Sequence, residues 1–156
     1  MNKSILSQDE VLKKGIEFTG DVCYSGEYGQ QVYNLPIEEG GKPITGYVYE
    51  KYNNGNINYY CYYENGIKDG ECIDFYETGK LKRHCMMEKG QILGKNYIWY
   101  ENGNIKTKEF CKYGIVMSYK KFDEDGNIID SKKEPNHVEK SLLEKYERLY
   151  ESHQTK

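Results

Sequence analysis

No run of apolar residues approaches the roughly 18–20 that a membrane-spanning helix needs. Residues 1–20 hold no apolar leader core and are broken by Asp9, Glu10, Lys13 and Lys14. A cytoplasmic chain with no membrane partner is therefore expected. The five cysteines (Cys23, Cys61, Cys72, Cys85, Cys111) are odd in number and form no Cys-x-x-Cys pair. That pattern predicts reduced, free thiols. The three histidines, His84, His137 and His153, are scattered, so neither a metal centre nor a cofactor is expected. There is no glycine-rich phosphate loop. Large aliphatics and Phe are scarce, 31 of 156 residues, which brings the chain near the composition of disordered proteins. Seventeen tyrosines compensate, because their rings bury large areas while their hydroxyls remain at the edge. A net charge of −3 disfavours nucleic acid or anionic lipid as the partner.

What the chain does have is a repeat. Gly46, Gly70 and Gly94 are spaced 24 residues apart, as are Gly55, Gly79 and Gly103, and Gly66, Gly90 and Gly114. Tyr52, Tyr76 and Tyr100 keep the step, and so do Ile57, Leu81 and Ile105. A constant interval of this size marks small units that are stable only when stacked. Each unit holds two strand-length runs, 47–52 and 57–63 in the first, punctuated by Asn54-Gly55 and Asn65-Gly66. Asn-Gly between alternating runs predicts two-residue hairpin turns of type I′. The stretches 66–70, 90–94 and 114–118 read as longer links. The last unit is irregular: its glycine series stops at Ser118, and 122–126 reads as one residue longer than 100–103.

The expected architecture is all-β, an antiparallel meander of 24-residue hairpin repeats in a single-layer sheet, closed by a C-terminal amphipathic helix. Residues 1–40 read as an N-terminal segment of short helix and strands packed on the array. Ser7, Glu10 and Gly15 carry the start and stop signals of that helix. Residues 41–130 hold the repeats. Residues 131–156 form a helix from Asn136 to about Ser152, with Val138, Leu142, Tyr146, Leu149 and Tyr150 as the stripe that covers the array end.

If Asn54-Gly55 is a two-residue turn, Tyr52 faces Ile57 and strand alternation sorts the side chains. One face then holds Val48, Glu50, Tyr52, Ile57, Tyr59, Cys61 and Tyr63, with repeating ladders that read as packing. The second holds Tyr47, Tyr49, Tyr60, Tyr62, Phe75, Tyr97, Trp99 and Phe110, interleaved with lysines including Lys95 and Lys108. It varies from copy to copy, as a binding surface would; cover by the N-terminal segment or the C-terminal helix is the other reading. Interfaces draw most of their energy from a few aromatics. Tyr49, Tyr60, Tyr62, Phe75, Tyr97 and Trp99 are therefore the candidate contacts, with Glu50 and Asp74 as an acidic contribution that would suit a basic partner such as a nuclease. Catalysis finds little support, since adjacent His84 and Cys85 point to opposite sides of a strand.

The Tyr-Glu-Asn-Gly segments at 63–66 and 100–103, and the run Lys-Pro-Ile-Thr-Gly-Tyr-Val-Tyr-Glu-Lys-Tyr-Asn-Asn-Gly-Asn-Ile from Lys42, resemble MORN-type repeats of the second, bacterial variant. The resemblance covers 41–130, about three and a half units. The YwqK family shares this arrangement and is described as antitoxins, or immunity proteins of secreted polymorphic toxins. The resemblance implies a non-enzymatic cytoplasmic protein of a toxin–antitoxin or contact-dependent inhibition system. Its partner would be a cognate protein toxin, neutralised by occlusion of its active site. The alternative it leaves is a MORN scaffold that organises protein or lipid partners.

Overall fold

The computed structural model describes residues 5–19, 22–25 and 31–154, with the side chains of 23–25 left aside. Gly20, Gly26 and Gly29, expected to punctuate the N-terminal strands, lie outside the described residues. Helix α1 (Gln8–Lys14) opens on a capping box: Ser7 Oγ accepts from Glu10 N, and Glu10 Oε2 accepts from Ser7 N. Strand β1 (Ile16–Glu17) and a small hairpin of β2 (Cys23–Ser25) and β3 (Gln31–Tyr33) follow. The array then runs through β4 (Gly46–Lys51), β5 (Ile57–Glu64), β6 (Ile67–Phe75), β7 (Leu81–Glu88), β8 (Gln91–Trp99), β9 (Ile105–Lys112), β10 (Ile115–Phe122) and β11 (Ile128–Lys132). Strands β4 to β11 form the expected antiparallel meander in chain order. The sheet is nonetheless mixed, because β1 pairs in parallel with β4 at its edge. Helix α2 (His137–Gln154) is the last described element.

The two ends of the hairpins use different turns, which corrects the expected two-residue turn at Asn54-Gly55. There the Tyr52 carbonyl accepts from Gly55 N at 2.9 Å and Tyr52 N donates to the Asn56 carbonyl at 2.8 Å. Gly55 alone takes a left-handed φ, +87°. This is a three-residue loop, a type I turn closed by a glycine bulge. The same bonds recur at Tyr76–Gly79, Tyr100–Gly103 and Asp123–Gly126. Two-residue turns with both residues left-handed occur at the other end, at Asn65-Gly66, Lys89-Gly90 and Tyr113-Gly114. The extra loop residue sets Ile57 opposite Lys51 instead of Tyr52. Ile57 thereby moves to the second face, where it is buried with Tyr49 and Tyr60.

The expected links 66–70, 90–94 and 114–118 are strand from their second residue onward. Pairing slips by two residues between Tyr63↔Lys68 and Cys61↔Cys72, and again between Met87↔Ile92 and Cys85↔Asn96. Gly70 and Gly94, both at positive φ, lie inside those slips. In the last unit, where Ser118 replaces the glycine, the slip is one residue, from Val116↔Cys111 to Ser118↔Phe110. The irregularity therefore sits in the bulge, and the final turn has the same four residues as the others.

Successive units are tied by their turn tyrosines. The hydroxyls of Tyr52, Tyr76 and Tyr100 donate to the carbonyls of Phe75, Trp99 and Phe122 at 2.7, 2.7 and 2.9 Å. Each such bond stabilises by about 0.5–1.5 kcal/mol net.

The first hairpins are covered on both sides. On the first face Val22, Val32 and Ile44 bury Val48, Cys61, Tyr63, Cys72 and Cys85. On the second, Val11 of α1 packs with Tyr49, Ile57, Tyr60 and Ile73. Helix α2 keeps part of its expected stripe, Tyr146 and Tyr150, whereas Val138, Leu142 and Leu149 are exposed and Leu143, outside the stripe, is buried. Its anchors are polar and aromatic. Tyr146 and Tyr150 lie 5.9 and 6.2 Å from the Tyr113 ring, Glu147 Oε1 pairs with Lys112 Nζ at 2.7 Å, and Glu139 pairs with Lys132. Among the described residues no helix is long and apolar enough to cross a membrane.

Candidate partner-binding face

The order of cover along the sheet decides which candidate residues stay accessible. Tyr60 is fully buried. Its hydroxyl accepts from Leu6 N at 3.0 Å and donates to Glu71 Oε1 at 3.2 Å, while Glu71 Oε2 meets His84 Nε2 at 3.1 Å. Tyr49 is buried in the same cluster, and Phe75 packs against it. Tyr62 is half-buried beside Tyr47, ring centroids 5.2 Å apart. Tyr49 and Tyr60 thus belong to the core beneath α1 in this conformation.

Past α1 the second face opens. Cross-strand pairs Lys95↔Phe110, Tyr97↔Lys108, Phe110↔Ser118, Lys108↔Lys120 and Lys120↔Ser131 place these residues on one surface. They line a shallow concavity of about 420 Å³ on β8–β11, joined by Lys133. Tyr97 and Trp99 meet edge to face, 6.2 Å between centroids. Lys95 and Lys108 bring their ammonium groups to 5.9 and 5.8 Å from the Tyr97 ring, a cation–π distance. Phe110 is 51% exposed.

Glu50 and Asp74 lie elsewhere. The pairs Glu50↔Tyr59 and Tyr59↔Asp74 set them in one row of the first face, apart from Tyr97 and Trp99. Asp74 is also 3.8 Å from Arg83 Nη1. The accessible aromatic surface is therefore basic. Lys95 and Lys108 were visible as lysines interleaved with rings, whereas Lys120 and Lys133 sit in the irregular end, where no repeat copy pointed to them.

The cysteines require a correction. Cys61 and Cys72 are directly opposite in β5 and β6, with Cα atoms 4.2 Å apart, and form a disulfide. Cys61 shares its repeat position with Cys85, 24 residues on, but Cys85 lies two strands away on β7, and the neighbour across from Cys61 is Cys72. Cys85 and Cys111 are free and buried. Burial raises the Cys85 thiol above its usual range and pushes Cys111 up to about 11. His84 and Cys85 do point to opposite faces, since His84 reaches Glu71 beneath α1 while Cys85 joins the first-face core. Thiolate is scarce at both free cysteines, so iodoacetamide at about pH 8 should leave them unmodified in the native protein and alkylate them in urea. Peptide mass mapping reads this, and labelling of native Cys85 would contradict its burial. Among the described residues no group of three or more His, Cys, Asp or Glu is placed to hold a metal.

This hairpin array, with one recurrent turn tyrosine per unit, defines a MORN-type protein. The family model for the MORN repeat variant matches residues 68–89 and 92–111. The chain is also 50% identical over 120 residues to Immunity protein YwqK of Bacillus subtilis (strain 168), with 77% of each chain covered. It belongs to the family of that protein. No solved structure matches it.

Proposed function

We propose that this protein is an immunity protein that binds and neutralises a cognate bacterial toxin, acting as a binding partner and not as an enzyme. The observation that carries this reading is the 50% identity to Immunity protein YwqK over most of both chains. Two features of the chain support it. The thiols of Cys85 and Cys111 are buried and weakly acidic, and the exposed second face combines rings with lysines in the manner of a protein interface. The partner surface would lie over Tyr97, Trp99 and Phe110, where no described segment covers the sheet. Inhibition would follow from steric occlusion of the toxin.

The test is co-expression with the toxin domain encoded by the adjoining gene. The wild-type chain should restore growth and co-purify with that domain. Tyr97→Ala with Trp99→Ala should reduce protection at least tenfold in titrated expression, each lost hot-spot ring removing about 2 kcal/mol or more of binding, with the thermal melt little changed. Growth arrest that persists with the wild-type chain would sink the immunity reading.

A further inference from the structure

We propose that the concave second face of β8–β11 is a docking site for an acidic protein surface, a run of Asp and Glu side chains set around an apolar contact with Phe110 and Tyr97. The inference rests on the immunity reading for the partner's biological identity, but its physical basis lies in the charge pattern of this chain. The whole molecule carries net negative charge, −3. Yet Lys95, Lys108, Lys120 and Lys133 converge on one concavity. The ion pairs found among the described residues join Lys51 to Glu17, Arg83 to Asp74, Lys112 to Glu147, Lys132 to Glu139 and Lys140 to Glu134. None involves those four lysines. Among the described residues that line the concavity Glu109 is the one carboxylate, and its Oε2 is held by Asn96 Nδ2 at 2.7 Å toward the first face.

Lysines cross-strand from one another, such as Lys108 and Lys120, are mildly destabilising in the free protein. Carboxylates of a partner remove that repulsion, so binding gains where folding loses. The aromatic residues supply the desolvated centre and the lysines the rim, an arrangement that accelerates encounter with an acidic surface.

Two other anionic partners fit less well. Base stacking needs free ring faces, whereas Tyr97 has two ammonium groups within cation–π distance and meets Trp99 edge to face. A bilayer is flat on this scale, and half-buried Tyr97 lies within the concavity. The same geometry argues against occlusion of a basic nuclease cleft by this face, and toward an acidic region of the toxin.

The experiment combines Lys95→Glu, Lys108→Glu and Lys120→Glu in one chain. A control reverses three exposed lysines elsewhere, Lys13, Lys14 and Lys42, also to Glu. Circular dichroism and thermal melts of both confirm folding. If the wild-type chain binds the toxin domain of the adjoining gene, association should slow by about tenfold to a hundredfold in the face variant and lose its salt dependence. The control should bind like the wild type. Unchanged association in the face variant overturns this inference and leaves the immunity reading intact. If the wild-type chain does not bind that toxin, the immunity reading fails instead. The face is then judged with the peptide Asp-Glu-Phe-Glu-Asp-Tyr-Glu-Asp: binding lost in the face variant and kept in the control supports the inference, and absence of binding overturns it. Preference for oligothymidylate or for phosphatidylserine vesicles over the peptide overturns it as well.

Discussion

Tyr60→Ala should lower the unfolding free energy by about 3–5 kcal/mol, the usual range for truncating a fully buried aromatic. Tyr60 is 0% exposed and lies between Tyr47 and Phe75, with ring centroids at 5.9 and 6.1 Å. Its hydroxyl ties Leu6 N, just ahead of α1, to Glu71 on β6. Removing the ring opens the seat of Val11 and releases the N-terminal helix. Urea unfolding measures the loss, and a change below about 1 kcal/mol would mean that α1 does not dock there. Tyr60→Phe isolates the hydroxyl and should lower stability by about 1–3 kcal/mol, because Leu6 N–H and Glu71 lose their partner. The phenol also sets a pH dependence. Burial raises its pKa above the usual 10.0, so the folded chain keeps a proton that the unfolded chain releases. Stability from this group is complete below pH about 10 and is lost progressively as pH rises above it. Tyr60→Phe should therefore show a shallower alkaline loss than the wild type.

The covering of Tyr60 shows where sequence reading stops. Glycines at constant spacing located the strands, because left-handed turn positions tolerate few other residues. They could not report whether the turn at Gly55 held two or three residues, and that one residue decided the face of Ile57. Side-chain alternation is unforgiving of such a slip, so the packing ladder was assigned to the wrong side there. Local capping signals made α1 legible at Ser7 and Glu10, whereas its docking on Tyr49 and Tyr60 is a tertiary fact that no local pattern encodes. Helix α2 misled for a related reason. Its apolar stripe is thin: Tyr146 and Tyr150 of that stripe do make contact, but the ion pairs that help hold the helix come from Glu139 and Glu147, which a hydrophobicity pattern counts as solvent-facing. The basic concavity formed from lysines in different repeats, brought together only by register.

Gly66→Ala and Gly103→Ala should separate two roles that the repeat treats as one. Both glycines are left-handed, at φ +78° and +91°, and an alanine there loses about 1–2 kcal/mol from the backbone alone. At Gly103 a Cβ would meet nothing within 4 Å, so the loss should end there. At Gly66 it would come 2.9 Å from Gln31 Cβ and 2.9 Å from the Val32 carbonyl. That residue is the seam between array and N-terminal hairpin: Val32 N donates to the Gly66 carbonyl at 2.8 Å, and Gly66 N to the Ile44 carbonyl at 2.7 Å. Relief of the clash must shift backbone, which adds about 1–3 kcal/mol and loosens the cover over Val48 and Cys61. The expected result is a Gly66→Ala chain less stable than Gly103→Ala by that added amount in urea, with faster hydrogen exchange at Val32 and Ile44 only in the former. Equal losses at the two positions would mean that β2–β3 does not close over the first face, and that the core of Val48, Cys61 and Tyr63 beneath it is open to solvent.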